Sequence, residues 1–331
     1  MRIAVDAMGS DRAPTVEVEG AVGALLQSPE ITVVLVGDQA AVEAELARHP
    51  DAPRDRIELV HAPDVIDPGE APTTAVRRKP NSSIVVGTRL VKGGEADAFL
   101  SAGSTGAVMA AATLMLRPIR GVDRPAVGSP VPSATGTFFL IDMGANVDTR
   151  PQHLLQFAHL GTIYAQDLMG VDEPRVGLLN IGTEPGKGNE QTLETYALLS
   201  ESPTLNFVGN VEGREVIHDA CDVLVCDGFV GNVLIKFYES FGRFMAEELK
   251  REMEQQQVRL DLRRLYQKLD YSTYGGAPLL GVNGVVVIAH GGSSPLAIRN
   301  GIGVAARSVE RRMVEHIAKR LGNLADRGEE R

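Results

Sequence analysis

Short runs of β-branched and aliphatic residues alternate with longer stretches of helical periodicity along the whole chain, and this alternation restricts the fold more than any other feature. Strand candidates are Ile3–Asp6, Ile31–Val36, Ile57–Val60, Ala98–Ser101, Phe138–Asp142, Arg175–Asn180, Val223–Cys226 and Val285–Ala289. Several are apolar on both faces, as parallel strands covered by helices on each side must be. The pattern predicts an α/β fold: a three-layer α/β/α arrangement around a mostly parallel sheet, with right-handed crossovers. The length of 331 residues allows one large domain or two lobes. We expect a single domain over 1–321, a helical arm over about 233–274 and a frayed tail over 322–331.

Two helices stand out. From Ile302, the residues Ala306, Val309, Met313, Ile317 and Leu321 keep helical spacing, which predicts one packed C-terminal helix. A longer one is predicted from Val233 to about Gln257, with Leu234, Tyr238, Phe241, Met245, Leu249 and Met253 on one stripe. The pattern continues through Leu260, Leu262, Leu265 and Leu269, so the arm should project from the sheet and pack on something else.

Net charge is 33 − 43 = −10, which argues against nucleic acid as a partner. The two cysteines, Cys221 and Cys226, sit in an apolar strand at a spacing that fits neither a redox motif nor a zinc knuckle, so they read as reduced core thiols. Met1–Asp6 enters a strand directly without a signal-peptide layout. The longest apolar run, Ala107 to Leu116, is too short to span a bilayer. A cytoplasmic protein is expected.

Chemistry should gather at the strand ends, because seven of these junctions combine glycine with Ser, Thr, Asn or Asp. They begin at Asp6, Ser101, Asp142, Asn180, Gly209, Asp227 and His290. In a parallel sheet such ends share one edge, where ligands bind, and small residues let backbone N–H groups approach an anion. Ser101-Ala-Gly-Ser-Thr-Gly106 opens a helix and could cradle phosphate, although Ser104 could equally be an ordinary helix cap. Lys187 stands in Gly182-Thr-Glu-Pro-Gly-Lys-Gly-Asn189, where packing gives no reason for a lysine. That segment is one residue short of a nucleotide-binding P-loop and lacks its Ser/Thr. No Gly-x-Ser-x-Gly elbow or His-Glu-x-x-His occurs, and His153 and His159 read as helix-face residues. Gly301-Ile-Gly-Val-Ala-Ala306 fits a dinucleotide fingerprint in letters but falls inside a helical pattern. What remains is a polar site with one lysine, several asparagines and a histidine, and neither metal nor cofactor is expected.

Ala4-Val-Asp-Ala-Met-Gly-Ser-Asp11, Leu100-Ser-Ala-Gly-Ser-Thr-Gly-Ala107, Gly144-Ala-Asn146, Leu178-Leu-Asn-Ile-Gly-Thr-Glu184 with Lys187-Gly-Asn189, Phe207-Val-Gly-Asn-Val-Glu-Gly213, Cys226-Asp-Gly-Phe-Val-Gly-Asn232 and Gly275-Gly-Ala-Pro-Leu-Leu-Gly281 resemble the PlsX-type phosphate acyltransferases. The resemblance covers residues 1–317 in order. Ser10 stands where that family usually has Gly, and Ser104 where Asn is usual.

The resemblance implies transfer of a fatty acyl group from acyl carrier protein to inorganic phosphate, giving an acyl phosphate for phospholipid synthesis. It further implies a homodimer with a fold akin to phosphate acetyltransferases and isocitrate dehydrogenases. With it, Lys187 is assigned to the phosphate or the oxyanion and Asn232 to polarising the thioester carbonyl. His290 could protonate the leaving thiolate or serve structure by bonding backbone. Ser101, Gly103, Ser104, Thr105, Asn146, Asn189, Asn210 and Asp227 are substrate-binding candidates, with Asp227 equally suited to fixing its loop. Basic groups at Arg77-Arg-Lys79 and at Arg117, Arg120 and Arg124 are candidate docking patches for an acidic carrier. Leucines and cations interleaved over 258–269 suit either dimer packing or peripheral contact with the membrane, where a glycerol-3-phosphate acyltransferase would take the product. The rivals are a metal-dependent 3-hydroxy-acid dehydrogenase of similar fold and a non-catalytic carrier-binding scaffold.

Overall fold

The computed structural model of the chain describes residues 1–257, 261 and 274–329, with side chains through 322. In chain order the elements are β1 (Arg2–Asp6), α1 (Thr15–Gln27), β2 (Thr32–Gly37), α2 (Gln39–Leu46), β3 (Ile57–His61), α3 (Pro72–Arg78), α4 (Ser83–Lys92), β4 (Ala98–Ser101) and α5 (Thr105–Met115). There follow β5 (Ala126–Pro132), β6 (Thr137–Ile141), α6 (Pro151–Tyr164), β7 (Arg175–Asn180), α7 (Glu190–Ser200), β8 (Asn206–Glu212), β9 (Val223–Val225) and α8 (Gly228–Gln255). The chain closes with β10 (Ala277–Leu280), β11 (Val285–Ile288), α9 (Pro295–Glu310) and α10 (Met313–Glu329). The contacts divide it into two compact units: Met1–Val127 with Gln166–Gly170 and Tyr274–Arg331, and Gly128–Ala165 with Val171–Thr273.

The first unit holds strands in the order β3-β2-β1-β4-β11-β10, parallel except for β10, which also pairs with the start of β5. Alternate residues of β1, β2, β4 and β11 (Ile3, Val5, Leu35, Leu100, Val287) form one core with α1 and α9. The opposite face carries Phe99, which packs so closely on α4 that a Cβ at Gly87 would come within 2.2 Å of its ring. Both faces are therefore covered, which is why these strands are apolar throughout. Each fully buried Leu, Ile or Phe contributes about 1.5–3 kcal/mol relative to exposure.

The second unit repeats the plan with the order β5-β6-β9-β7-β8, parallel after the β5–β6 hairpin. Phe138, Leu140 and Leu224 pack beneath α8 through Ile235, Leu234 and Tyr238. On the other face Phe139 stacks on Tyr164 of α6, with ring centroids 4.1 Å apart. Cys221 and Cys226 are free and buried here, and burial pushes the Cys221 thiol up to about 12.

Three differences from the sequence reading have physical causes. β5, β8 and β10 were not anticipated, because Gly128, Pro130, Pro132, Asn206, Gly209 and Pro278 interrupt the apolar signal. The single C-terminal helix is two, α9 and α10, broken where Arg312 takes φ 54°. α10 also carries helix beyond Leu321, where a frayed tail was expected.

The long helix begins at Gly228, and its apolar stripe is split. Leu234 and Tyr238 pack inward, and the Tyr238 hydroxyl donates to Pro132 O at 3.1 Å. The exposed flank is instead Phe229, Val233, Phe237, Phe241 and Phe244. The Leu260–Leu269 part of the expected arm lies outside the described residues. Among the described residues, no helix is long and apolar enough to cross a membrane.

Candidate active site

Six of the seven glycine-containing junctions fall at the C-terminal ends of parallel strands, the edge where such sheets bind ligands, whereas Gly209 to Glu212 lie within β8. In the first unit these are the ends of β1, β4 and β11. Asp6 is fully buried, accepting the Ser101 hydroxyl at 2.6 Å and the Met8 N–H at 3.0 Å. The same hydroxyl accepts the Gly103 N–H at 3.0 Å, so Ser101 and Gly103 lock their own turn. Ser104 caps α5 by accepting the Ala107 N–H at 3.4 Å, and Thr105 is exposed beside it. Burial holds the Asp6 carboxyl above its ordinary value, against the lowering effect of those hydrogen bonds.

His290 follows β11. Its Nδ1 accepts the Gly292 N–H at 3.0 Å, so the neutral ring carries its proton on Nε2. The ring is exposed, and Nε2 makes no hydrogen bond among the described residues. The His290 loop is braced by the loop after β1, with Asp11 N donating to Gly291 O at 2.9 Å. Beneath, Ser10 N donates to Glu17 Oε1 at 2.7 Å, while Glu17 Oε2 is buried without a partner. Burial raises the Glu17 carboxyl to about 7.

In the second unit, Asp142 at the end of β6 organises the next turn. It accepts the N–H groups of Gly144, Ala145 and Asn146 at 3.3, 3.0 and 2.7 Å, and the Asn146 side-chain amide at 3.0 Å. Asn146 O accepts the Gly228 N–H at 2.8 Å, and Asp227 caps α8 by accepting the Val230 N–H at 2.8 Å. The helix approaches so closely that a Cβ on Gly231 would lie 1.9 Å from Asp142 O, so only glycine fits. The consequence is placement of Asn232, on the first turns of α8, against Gly144. Its side chain is half-buried and forms no hydrogen bond among the described residues.

The β7 end carries the lysine loop. Asn180 Nδ2 donates to Lys187 O and to Asn210 Oδ1, both at 3.0 Å, and Asn210 Nδ2 donates to Glu184 O at 2.9 Å. Gly188 turns the chain at φ 110°, after which Asn189 caps α7 by accepting the Thr192 N–H at 2.9 Å. Gln191 Nε2 ties this loop to the one following Asn146 through Thr149 O and Oγ1, at 2.8 and 2.6 Å. Lys187 is exposed, its stem lies over Gly182, and it has no ion pair among the described residues. Among the described residues of these strand-end loops and the first turns of α8, Lys187 thus lacks an ion pair and the Asn232 amide a hydrogen bond, on a lattice of self-satisfied turns.

Lys187 and Asn189 share one loop, with Asn210 holding it; Asn146, in the loop after β6, is joined through its carbonyl to the start of α8, where Asp227 is the cap and Asn232 lies on the first turns. Asp227 and Asn189 act as caps, as does Ser104. The sequence reading names Asp142 and Asn180 only as the starts of junctions, with no role, and passes over Glu17. An aspartate followed two to four residues later by Gly and Asn is an Asx-turn signal that could have found Asp142. His153 caps α6 by accepting the Arg150 N–H at 3.1 Å, and Gly301 lies within α9. Of the basic groups, Lys79 is tied to Glu70 at 2.6 Å, whereas Arg77 and Arg78 are exposed. Among the described residues no group of three or more His, Cys, Asp or Glu could hold a metal ion.

Residues 1–316 match the model of a family described as fatty acid synthesis protein, and the chain belongs to that family. It is 49% identical to the phosphate acyltransferase of Moorella thermoacetica, over 100% of this chain and 98% of that one. The phosphate acyltransferase of Salinibacter ruber is 46% identical over 95% and 96%. Among solved structures, a phosphotransacetylase from Streptococcus pyogenes superposes with TM-score 0.64 at 19% identity, covering 94% of each chain. The EutD phosphotransacetylase from Staphylococcus aureus gives 0.59 at 19% identity, over 93% and 94%. These two show the fold.

Proposed function

We propose that this acyltransferase moves a fatty acyl group from acyl carrier protein to inorganic phosphate and releases an acyl phosphate for phospholipid synthesis. The observation that carries the reading is the uncommitted pair in the second unit, Lys187 and Asn232, in a chain about half identical to phosphate acyltransferases. In the reaction a phosphate oxygen attacks the thioester carbonyl, a tetrahedral oxyanion forms, and the carrier thiolate leaves. Lys187 holds the phosphate or the oxyanion, and the Asn232 amide donates to the carbonyl oxygen. Donors aimed at developing charge supply most of the acceleration. The Nε2–H of His290 can donate a hydrogen bond to the leaving thiolate. Asn189, Asn146, Ser104 and Thr105 contribute to phosphate binding through their turns.

The same proposal extends to assembly, docking and location. A homodimer would cover Phe229, Val233, Phe237, Phe241 and Phe244, a larger apolar stripe than a monomer usually leaves in water. The exposed Arg77 and Arg78 suit an acidic carrier. The leucine- and cation-rich sequence over 258–269 suits reversible contact between a cytoplasmic enzyme and the membrane surface that receives its product. The defining test is incubation with acyl carrier thioester while carrier thiol is titrated. Thiol release that requires phosphate supports the reading; release indifferent to phosphate, or none, rejects it.

A further inference from the structure

Glu17, in the first turn of α1, is a buried titratable group that the reaction as described leaves without a role. Its side chain is 0% exposed, and its two oxygens are treated differently. Oε1 accepts the Ser10 N–H at 2.7 Å, whereas Oε2 has no partner among the described residues. A buried acceptor left unpaired costs stability and is rare in folded proteins. Glutamine would accept the same N–H without bringing a charge inside, so the fold alone gives no reason for a carboxyl. What a carboxyl adds is a change of charge. A hydrogen bond to a carboxylate is roughly twice as strong as one to a neutral oxygen.

The bonds of the next residues carry that difference to His290. Asp11 donates its N–H to Gly291 O at 2.9 Å, and a Cβ on Gly291 would lie 3.2 Å from Asp11 Oδ1. Arg12 reaches Ser293 O at 3.4 Å. The loop so clamped fixes the histidine, through Ser293 N–H to His290 O at 2.9 Å and Gly292 N–H to its Nδ1 at 3.0 Å. Resting on the acyltransferase reading above, we propose that Glu17 is a positioning residue for His290: its carboxylate tightens the Ser10–Asp11 loop onto Gly291 and so holds Nε2–H toward the leaving thiolate. The protonated carboxyl holds the same loop more loosely.

The charged groups on the elements around Glu17 are Asp6 at the end of β1, Asp11 and Arg12 in the loop, Glu45 of α2 across Thr15, and Arg299 of α9 beside Gly23; β2 carries none. Burial opposes ionisation of Glu17 most, hydrogen bonds from Ser10 favour it and the charge of Asp6 opposes it, which leaves the carboxyl at about 7. Turnover therefore rises as pH passes through this region, while the stability contributed by the group falls.

The test follows kcat for phosphate-dependent thiol release from about pH 5.5 to 8.5 in wild type and Glu17→Gln, and again with both forms in a His290→Gln background. The wild-type-to-variant ratio should stand near one at the acid end and reach about fivefold at the alkaline end, the difference between a neutral and a charge-assisted hydrogen bond. Without His290 the ratio should stay flat. A purely structural role would lower the variant by a factor independent of His290. In parallel, ring-labelled histidine is followed by NMR, with the His290 resonance identified by its loss in His290→Gln. Its shift should show an inflection near pH 7 that Glu17→Gln removes. A flat ratio, a pH-dependent ratio that survives loss of His290, or identical His290 titrations in the two proteins overturns the proposal. If wild type releases no carrier thiol, the acyltransferase reading fails and the resonance alone decides whether Glu17 governs the ring.

Discussion

The two units build their strand-end loops alike but leave them in different states. In the first unit the polar side chains turn inward: Ser101 to Asp6, Ser104 to its helix, His290 Nδ1 to Gly292 and Glu17 to Ser10. In the second, Asp142, Asn180 and Asn210 do the same work, and among the described residues Lys187 has no ion pair and Asn232 no side-chain hydrogen bond. A group already bonded in the resting protein stabilises the fold. A group held in place but unbonded is available to substrate, and placing it has a cost that the surrounding lattice offsets.

The comparison is broken most severely at Lys187. Lys187→Ala should lower kcat/KM by about 100- to 1,000-fold, roughly 3–4 kcal/mol of transition-state stabilisation, with Tm unchanged. Retained activity, or a Tm loss matching the activity loss, would place Lys187 among the structural groups. Asp142→Ala should do the opposite in kind. It orphans the N–H groups of Ala145 and Asn146, at about 1–3 kcal/mol each when buried, so urea unfolding should show a lower midpoint together with lost activity.

Glu17 gives a pH signature peculiar to the first unit. Its carboxyl is raised to about 7 by burial, so the folded protein holds a proton that the unfolded chain has released. Stability from this group is therefore greatest below the ordinary carboxylate range and declines as pH rises toward 7. Chemical denaturation from pH 4.5 to 8 should show this slope in wild type and a flatter one in Glu17→Gln.

The smallest effect is expected at Ser104. As a cap, Ser104→Ala costs about 1 kcal/mol of stability with an unchanged KM for phosphate. A raised KM at unchanged Tm would instead make its hydroxyl a phosphate ligand and bring the first unit closer to the second.

Much of this was legible in the residues. The parallel strands were readable because both faces are buried, and the exposure of Lys187 because a cation in a glycine-rich loop has no packing role. β5 and β10 were hidden because prolines sit where antiparallel pairing tolerates them, a property of neighbours that no local pattern records. Asn232 could be named from its motif, but its freedom could not. That follows from Gly231 meeting Asp142 O, a contact across 89 residues. The inward and outward sides of α8 differ by one residue in register, which depends on how the helix lies on β6 and β9.

The central claim is that phosphate itself becomes part of the product, and a mass balance tests it most directly. Enzyme, palmitoyl carrier thioester and ¹⁸O-labelled phosphate are mixed, carrier thiol is titrated, and acyl phosphate is trapped with hydroxylamine. The account predicts one hydroxamate per thiol, label in the acyl phosphate isolated before trapping, and loss of both signals together in Lys187→Ala. Thiol release accompanied by free fatty acid and no hydroxamate would contradict it.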